Sequence, residues 1–271
     1  MSRYLFDNAD AQTPGRFSAL ETCYDPVSRR ELELTGLAPG WRCLEVGGGG
    51  GSLGDWLGER VGPDGEVTIT DIDPRWAQQE PQRPPHVRLL RHDIVTDPLP
   101  AAHYDLIHAR LVLLHLPERL PVLDGLVKAL RPGGSLLLEE FDCGWTPVLA
   151  APTGAAAALF ERVVRALHTQ VEKAGGDPLW GRRVLGAMAQ AGLTDLTAST
   201  YAESWPGGCP GIDLHRVNIE QTADRLRADG ITDPELIAFR ALLQDPAFVV
   251  NSYPLISARG RRPGTASESA R

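Results

Sequence analysis

Apolar and polar positions follow two alternating rhythms through the first half of the chain. The run Trp41 to Val46 is short and apolar, which predicts a buried strand. Leu53, Trp56, Leu57 and Val61 then recur at helical spacing and predict a helix over 52–61. After the turn Gly62-Pro63-Asp64-Gly65, Glu66 to Ile72 alternates into a second strand. Val87 to Arg91 and Asp105 to Ala109 predict the third and fourth strands. Leu120, Leu123, Val127 and Leu130 place a helix over 119–130, and Arg131-Pro132-Gly133-Gly134 turns sharply into a fifth strand, Ser135 to Phe141. An earlier helix is expected to begin at Asp25-Pro26, a cap followed by proline, and to run to about Thr35 with Gly36 closing it. Strands that alternate with helices imply a parallel sheet with right-handed crossovers.

The texture changes after residue 145. Residues 153–174 are Ala-rich and helical, 180–191 predicts another helix, and 194–204 alternates as a strand. Helices over 210–229 and 233–244 precede a final strand ending in Tyr253-Pro254-Leu255-Ile256-Ser257-Ala258-Arg259. The expected organisation is an N-terminal helical cap (1–40), a core (41–144), helical segments that complete the same domain with its last two strands (145–260), and a disordered tail (261–271). An insertion joining two neighbouring strands is expected to sit over the sheet as a lid.

Bulk properties narrow the function classes. The chain has 271 residues, 42% of them hydrophobic, enough for a core without covalent staples. Its formal charge of −8 argues against a nucleic-acid surface, which needs clustered Lys and Arg. Cys23, Cys43, Cys143 and Cys209 form no C-x-x-C pair, so no metal centre is expected. The opening Met-Ser-Arg-Tyr-Leu-Phe-Asp has no apolar leader core, and no run reaches membrane-spanning length, so the expected location is cytoplasmic.

Gly47 to Gly51, between the first strand and the helix from Ser52, carry the chemistry. Glycine lets main chain approach a ligand closely, and the helix behind offers free N–H groups. A phosphate loop would need Gly-Lys-Ser/Thr where the chain has Gly-Ser-Leu. The dinucleotide spacing G-x-G-x-x-G fails too: the third glycine would fall on Ser52 or Leu53, and the spacing met is Gly47, Gly49, Gly51. Glu45, at the end of the first strand, would repel a pyrophosphate and suits an ammonium or sulfonium. Asp71, at the end of the second, suits a ribose diol and by itself fits NAD and S-adenosylmethionine equally.

Taken in order, these segments resemble the class I S-adenosylmethionine-dependent methyltransferases. The resemblance rests on Leu44-Glu45-Val46 with the glycines, Thr70-Asp71-Ile72-Asp73-Pro74, His92-Asp93-Ile94, Tyr104 to Arg110 running on to His115-Leu116-Pro117, and Leu130-Arg131-Pro132-Gly133-Gly134. It covers about residues 25–142 and departs from the usual pattern at Gly48 and Gly50, where larger residues are common. The resemblance implies a Rossmann-like, seven-stranded, mostly parallel α/β sheet with helices on both faces, a terminal antiparallel strand and helical lid insertions. It implies that Glu45, Gly47, Gly48 and Gly49 hold the methionine end of the cofactor, that Asp71 with Ile72 takes the ribose side, and that Asp93 with the Ile94 amide reads the adenine. It further implies that His108 or Ala109 offers backbone to the amino group and that Tyr24 closes over the cofactor.

Methyl transfer from a sulfonium is an in-line displacement, so alignment is the protein's main task, with a base where the acceptor carries a proton. His115, Glu140, Asp142 and His215 are the base candidates. The segments 145–192 and 206–246, with Trp180, Trp205, His215 and Phe239, are expected to form the acceptor pocket, alongside Trp145 and Tyr201. The expected acceptor is a small organic molecule, such as a secondary metabolite, methylated at O, N or C; no nucleic-acid or membrane partner is expected, and a homodimer stays open. Two rival readings remain: an NAD-dependent oxidoreductase, and a methyltransferase-like protein that binds the cofactor without transferring its methyl.

Overall fold

The computed structural model describes residue 5 and residues 12–79 and 83–264. The sequence-derived readings for the remaining N-terminal residues, and for 265–271 of the expected tail, lie outside the described residues. The elements run α1 (Thr13–Glu33), β1 (Arg42–Val46), α2 (Ser52–Val61), β2 (Glu66–Asp71), β3 (Val87–Arg91), β4 (Tyr104–Arg110), α3 (Arg119–Ala129) and β5 (Leu130–Phe141). They continue with β6 (Val148–Ala150), α4 (Gly154–Lys173), α5 (Val184–Gln190), β7 (Thr194–Tyr201), β8 (Ser204–Pro206), α6 (Asp213–Ala228), α7 (Asp233–Leu242), β9 (Val249–Asn251) and β10 (Leu255–Arg261).

Seven strands form one sheet in the order β3-β2-β1-β4-β5-β10-β7. The first five pair in parallel, and β10 runs antiparallel to both its neighbours. This is the Rossmann-like sheet expected from the motifs. Strand side chains alternate between its faces. Cys43, Val67, Ile69, Leu106 and Leu137 pack with Leu53, Leu57 and Val61 of α2. Leu44, Ile107, Leu136 and Leu138 pack with Val122, Leu123 and Leu126 of α3 and Val184 and Met188 of α5. The parallel strands β1, β2 and β4 all deliver their carboxyl ends to one edge, where open α/β sheets bind ligands.

Three elements depart from the sequence reading. Helix α1 starts at Thr13, not at Asp25, and passes through Pro26. Its first turn carries Pro14, where a missing N–H costs nothing. Asp25 is no cap: it is buried and paired with Arg110 at 2.9 Å. The second departure is a small sheet in the order β6-β9-β8, built from three-residue strands too short to show periodicity. The third lies at the chain's end, where Arg261 completes β10 and the Arg262 amide donates to the Gly134 carbonyl at 2.9 Å, so order extends past the expected start of the tail. No helix among the described residues is long and apolar enough to cross a membrane.

Candidate functional site

The cavity at the carboxyl ends of β1, β2 and β4 encloses about 1090 Å³, its open mouth included. Its floor is the turn between β1 and α2. Gly47, Gly49 and Gly51 take positive φ values of 68°, 55° and 97°, a conformation that L side chains rarely adopt. The two intervening glycines have a different reason. A Cβ on Gly48 would collide with Ile69, and one on Gly50 with the Glu21 carboxylate. Close packing on Ile69 of β2 therefore favours glycine at 48, while at 50 a side chain would only displace the flexible end of Glu21. Phe17 of α1 sits over the same turn, its ring 3.1 Å from where a Gly49 Cβ would stand.

Asp71 fastens the turn. Its Oδ2 accepts the Gly49 amide at 3.0 Å and its Oδ1 the Asp73 amide at 2.8 Å. Burial raises its pKa, and those two amides oppose the rise. Each carboxylate oxygen accepts more than one hydrogen bond, so a diol can still be held. Asp93 and Ile94 line the cavity wall, and the Asp93 Oδ1 accepts the Val95 amide at 2.9 Å, which shapes the loop. Ile72 lines the same wall and is 46% exposed, an apolar face offered to a ring.

Glu45 lines the cavity, and Gly47, Gly48 and Gly49 line it with Gly50. Of the expected base candidates, only His115 lines it. Burial, with the nearby Arg16 cation, lowers the His115 pKa to about 3, so its ring is neutral at pH 7.

Several expectations are corrected. Tyr24 does not close over the cavity: it is fully buried, donates its hydroxyl to the Tyr253 carbonyl at 3.0 Å, and packs edge-on to Trp205. Arg16, Phe17, Leu20 and Glu21, one to two turns earlier on α1, line the cavity instead. His108 and Ala109 are buried within β4, and the lining passes to Arg110, Leu111 and Val112 just beyond them. Glu140 is buried and accepts the Leu113 and Leu114 amides at 2.8 and 3.3 Å, so it holds the loop after β4. Burial raises its pKa to about 8 even against those amides. Asp142 is paired with Arg182 at 2.6 Å and caps the Gly144 amide. His215 is buried with its Nδ1 3.0 Å from the Tyr253 hydroxyl. Trp180, Trp205 and Phe239 are core residues as well, and no residue of 145–192 or 206–246 lines this cavity. Of these helices α6 packs on α1, the element that covers the glycine turn, and α4 and α7 pack on α6.

The sequence reading also missed residues. Both ring nitrogens of His92 are buried with no hydrogen-bond partner among the described residues, and the side chain lines the cavity beside Asp93. Its place before Asp93 was the available signal. Arg110 was missed because its partners, Asp25 and Ser28, come from a stretch of α1 read as a helix start.

Comparison with known proteins finds a methyltransferase domain over part of the chain. Residues 44–136 match the model of a methyltransferase domain. The match covers about a third of the chain, and over that span the chain is similar to the class I methyltransferases. Among curated relatives, the chain is 30% identical over 177 residues to methyltransferase str2 of Strobilurus tenacellus, covering 64% of the chain and 61% of the relative. It is 31% identical over 121 residues to the ubiquinone/menaquinone biosynthesis C-methyltransferase UbiE of Laribacter hongkongensis, covering 43% of the chain and 50% of that protein. The chain thus spans about half to three-fifths of these relatives' length. A solved structure from Bacillus halodurans C-125, proposed to be a methyltransferase, superposes with a TM-score of 0.56 at 16% identity, over 87% of this chain and 98% of that one. This likeness shows a shared fold.

S-adenosylmethionine is the cofactor of this family, and the site fits it on two observations. The side-chain-free turn leaves room that a Cβ at Gly47 would close by meeting Val112. Orphaned, buried ring nitrogens on His92 stand at the wall where a base edge would lie.

Proposed function

We propose that the protein transfers a methyl group from S-adenosylmethionine to a small organic acceptor in this cavity. The observation that carries the reading is that one cavity joins the glycine turn, Glu45, Asp71 and Asp93 on one side to Phe17, His115 and Leu116 on the other. Glu45 and the turn would hold the methionine end, Asp71 the ribose hydroxyls, and Asp93 with the Ile94 amide and His92 the adenine. The cofactor supplies an electrophilic methyl carbon when bound. The residues of this chain align the acceptor, with Phe17, Leu20 and Leu116 keeping water from the reacting line. His115 is the one base candidate that lines the cavity, and its neutral ring would accept a hydrogen bond from the acceptor and orient it.

The name of the UbiE relative supports carbon as the atom methylated and a quinone-type small molecule as the acceptor. Incubation with methyl-labelled S-adenosylmethionine and a panel of hydroquinones, phenols and amines tests this. The expected result is S-adenosylhomocysteine released in equal amount with a labelled acceptor. A protein that binds the cofactor yet converts none of these classes would favour the binding-only alternative.

A further inference from the structure

Beneath α1 lies a chain of buried polar groups whose two ends open on the cavity. Glu45 Oε2 stands 2.6 Å from His108 Nδ1, and His108 Nε2 stands 3.2 Å from Glu139 Oε2. Glu139 also accepts from the hydroxyls of Ser28 and, at 2.6 Å, Ser257. Ser28 Oγ in turn accepts from Arg110 Nη1 at 3.0 Å, and Arg110 Nη2 pairs with Asp25 at 2.9 Å. Glu45 and Arg110 line the cavity; His108, Glu139 and Ser28 are fully buried.

Both nitrogens of His108 face carboxylate oxygens, which accept and do not donate when ionised. The ring satisfies both only as an imidazolium, donating from each nitrogen. Burial alone would lower its pKa, but Glu45 and Glu139 raise it to about 9. Burial likewise opposes ionisation of Glu139, yet the hydrogen bond and charge of His108 keep its carboxyl below its ordinary range. Asp25 pairs with Arg29 at 3.6 Å as well as with Arg110, so its charge is answered from two sides, while at the other end the Glu45 carboxylate has His108 as its buried partner and lines the cavity.

We propose that His108 is a positioning residue: held between Glu45 and Glu139, its imidazolium fixes the Glu45 carboxylate at the cavity wall, so that the site selects ligands by their ammonium group. This rests on reading the cavity as the cofactor site. Without the imidazolium, the buried Glu45 carboxylate would lose the donor that orients it.

The test uses calorimetry on the wild type and on His108→Gln with two ligands, S-adenosylhomocysteine and 5′-methylthioadenosine, which lacks the amino-acid end. The Gln variant should bind S-adenosylhomocysteine about 10- to 100-fold more weakly, the loss expected for a charge-assisted contact. Binding of 5′-methylthioadenosine should change less than about threefold. Equal losses for both ligands would make His108 a purely structural residue and overturn the proposal, as would no loss for either. Nitrogen NMR of histidine-labelled wild type tests the charge state whether or not the variant folds: at pH 7.5 both ring nitrogens of His108 should carry protons. A neutral ring would contradict the proposal. Wild-type protein that bound neither ligand would remove the cofactor reading, and the assignment to His108 with it.

Discussion

Asp71 Oδ2 accepts the main-chain amide of Gly49 at 3.0 Å, so the acid that ends β2 also ties down the turn that follows β1. One side chain thus shapes the floor of the cavity and presents a carboxylate to it. Replacing it with Asn removes the charge and one acceptor while keeping the volume. Asp71→Asn is expected to weaken S-adenosylhomocysteine binding by about 1–3 kcal/mol, through both the lost contact and the loosened turn. Calorimetry on the purified variant reads this directly, and an unchanged affinity would place the ribose elsewhere.

Tyr24 provides the complementary case. Its hydroxyl is spent on the Tyr253 carbonyl, away from the cavity. Tyr24→Phe should cost about 1–2 kcal/mol of stability in denaturant unfolding, because it leaves a buried carbonyl unpaired. Cofactor affinity should not change.

The elements with regular periodicity were legible in the sequence, and those with buried polar stripes were not. Helix α2 was placed at 52–61 because Leu53, Leu57 and Val61 repeat on one buried face. Helix α1 was cut short because Asp25-Pro26 has the form of a cap followed by a first-turn proline, although both lie inside the helix; its sheet-facing positions Asp25, Ser28 and Glu31 are polar and yet buried. They are polar because the sheet beneath them carries Arg110, Glu139, Ser199 and Arg259. The same network hid the side-chain role of His108, which the sequence reading offered only for its backbone. The glycine turn and its acids were legible because their chemistry is local. The acceptor side was not, since it is assembled from α1 and the loop after β4, about a hundred residues apart in sequence.

Buried neutral histidines set the acid limb of stability. Burial lowers the pKa of His115 and of His215 to about 3, against 6.5 in an unfolded chain. The unfolded state therefore binds more protons between pH 6.5 and 3, and stability is lost as pH falls through that window. Each ring contributes a loss of about 2 kcal/mol by pH 5. His215→Phe, which keeps the ring among Phe160, Trp205 and Tyr253, should flatten this limb in pH-dependent unfolding.

Glu140 acts on the other side of neutrality. Burial raises its pKa from 4.5 to about 8, so between those values the folded state holds a proton that the unfolded state has released. Its contribution to stability is complete below pH 4.5 and is lost as pH rises to about 8. Glu140→Gln should remove that slope while keeping an acceptor for the Leu113 amide. Unfolding free energies at pH 5 and pH 8 should then lie closer together than in the wild type.

The central claim is that the turn at Gly47–Gly51, with Glu45, Asp71 and Asp93 around it, receives an adenosyl sulfonium. Isothermal calorimetry of the full chain against S-adenosylmethionine and against NAD tests it most directly. The account predicts a saturable one-to-one isotherm with S-adenosylmethionine and no heat of binding with NAD. Saturable binding of NAD, with none of S-adenosylmethionine, would contradict it.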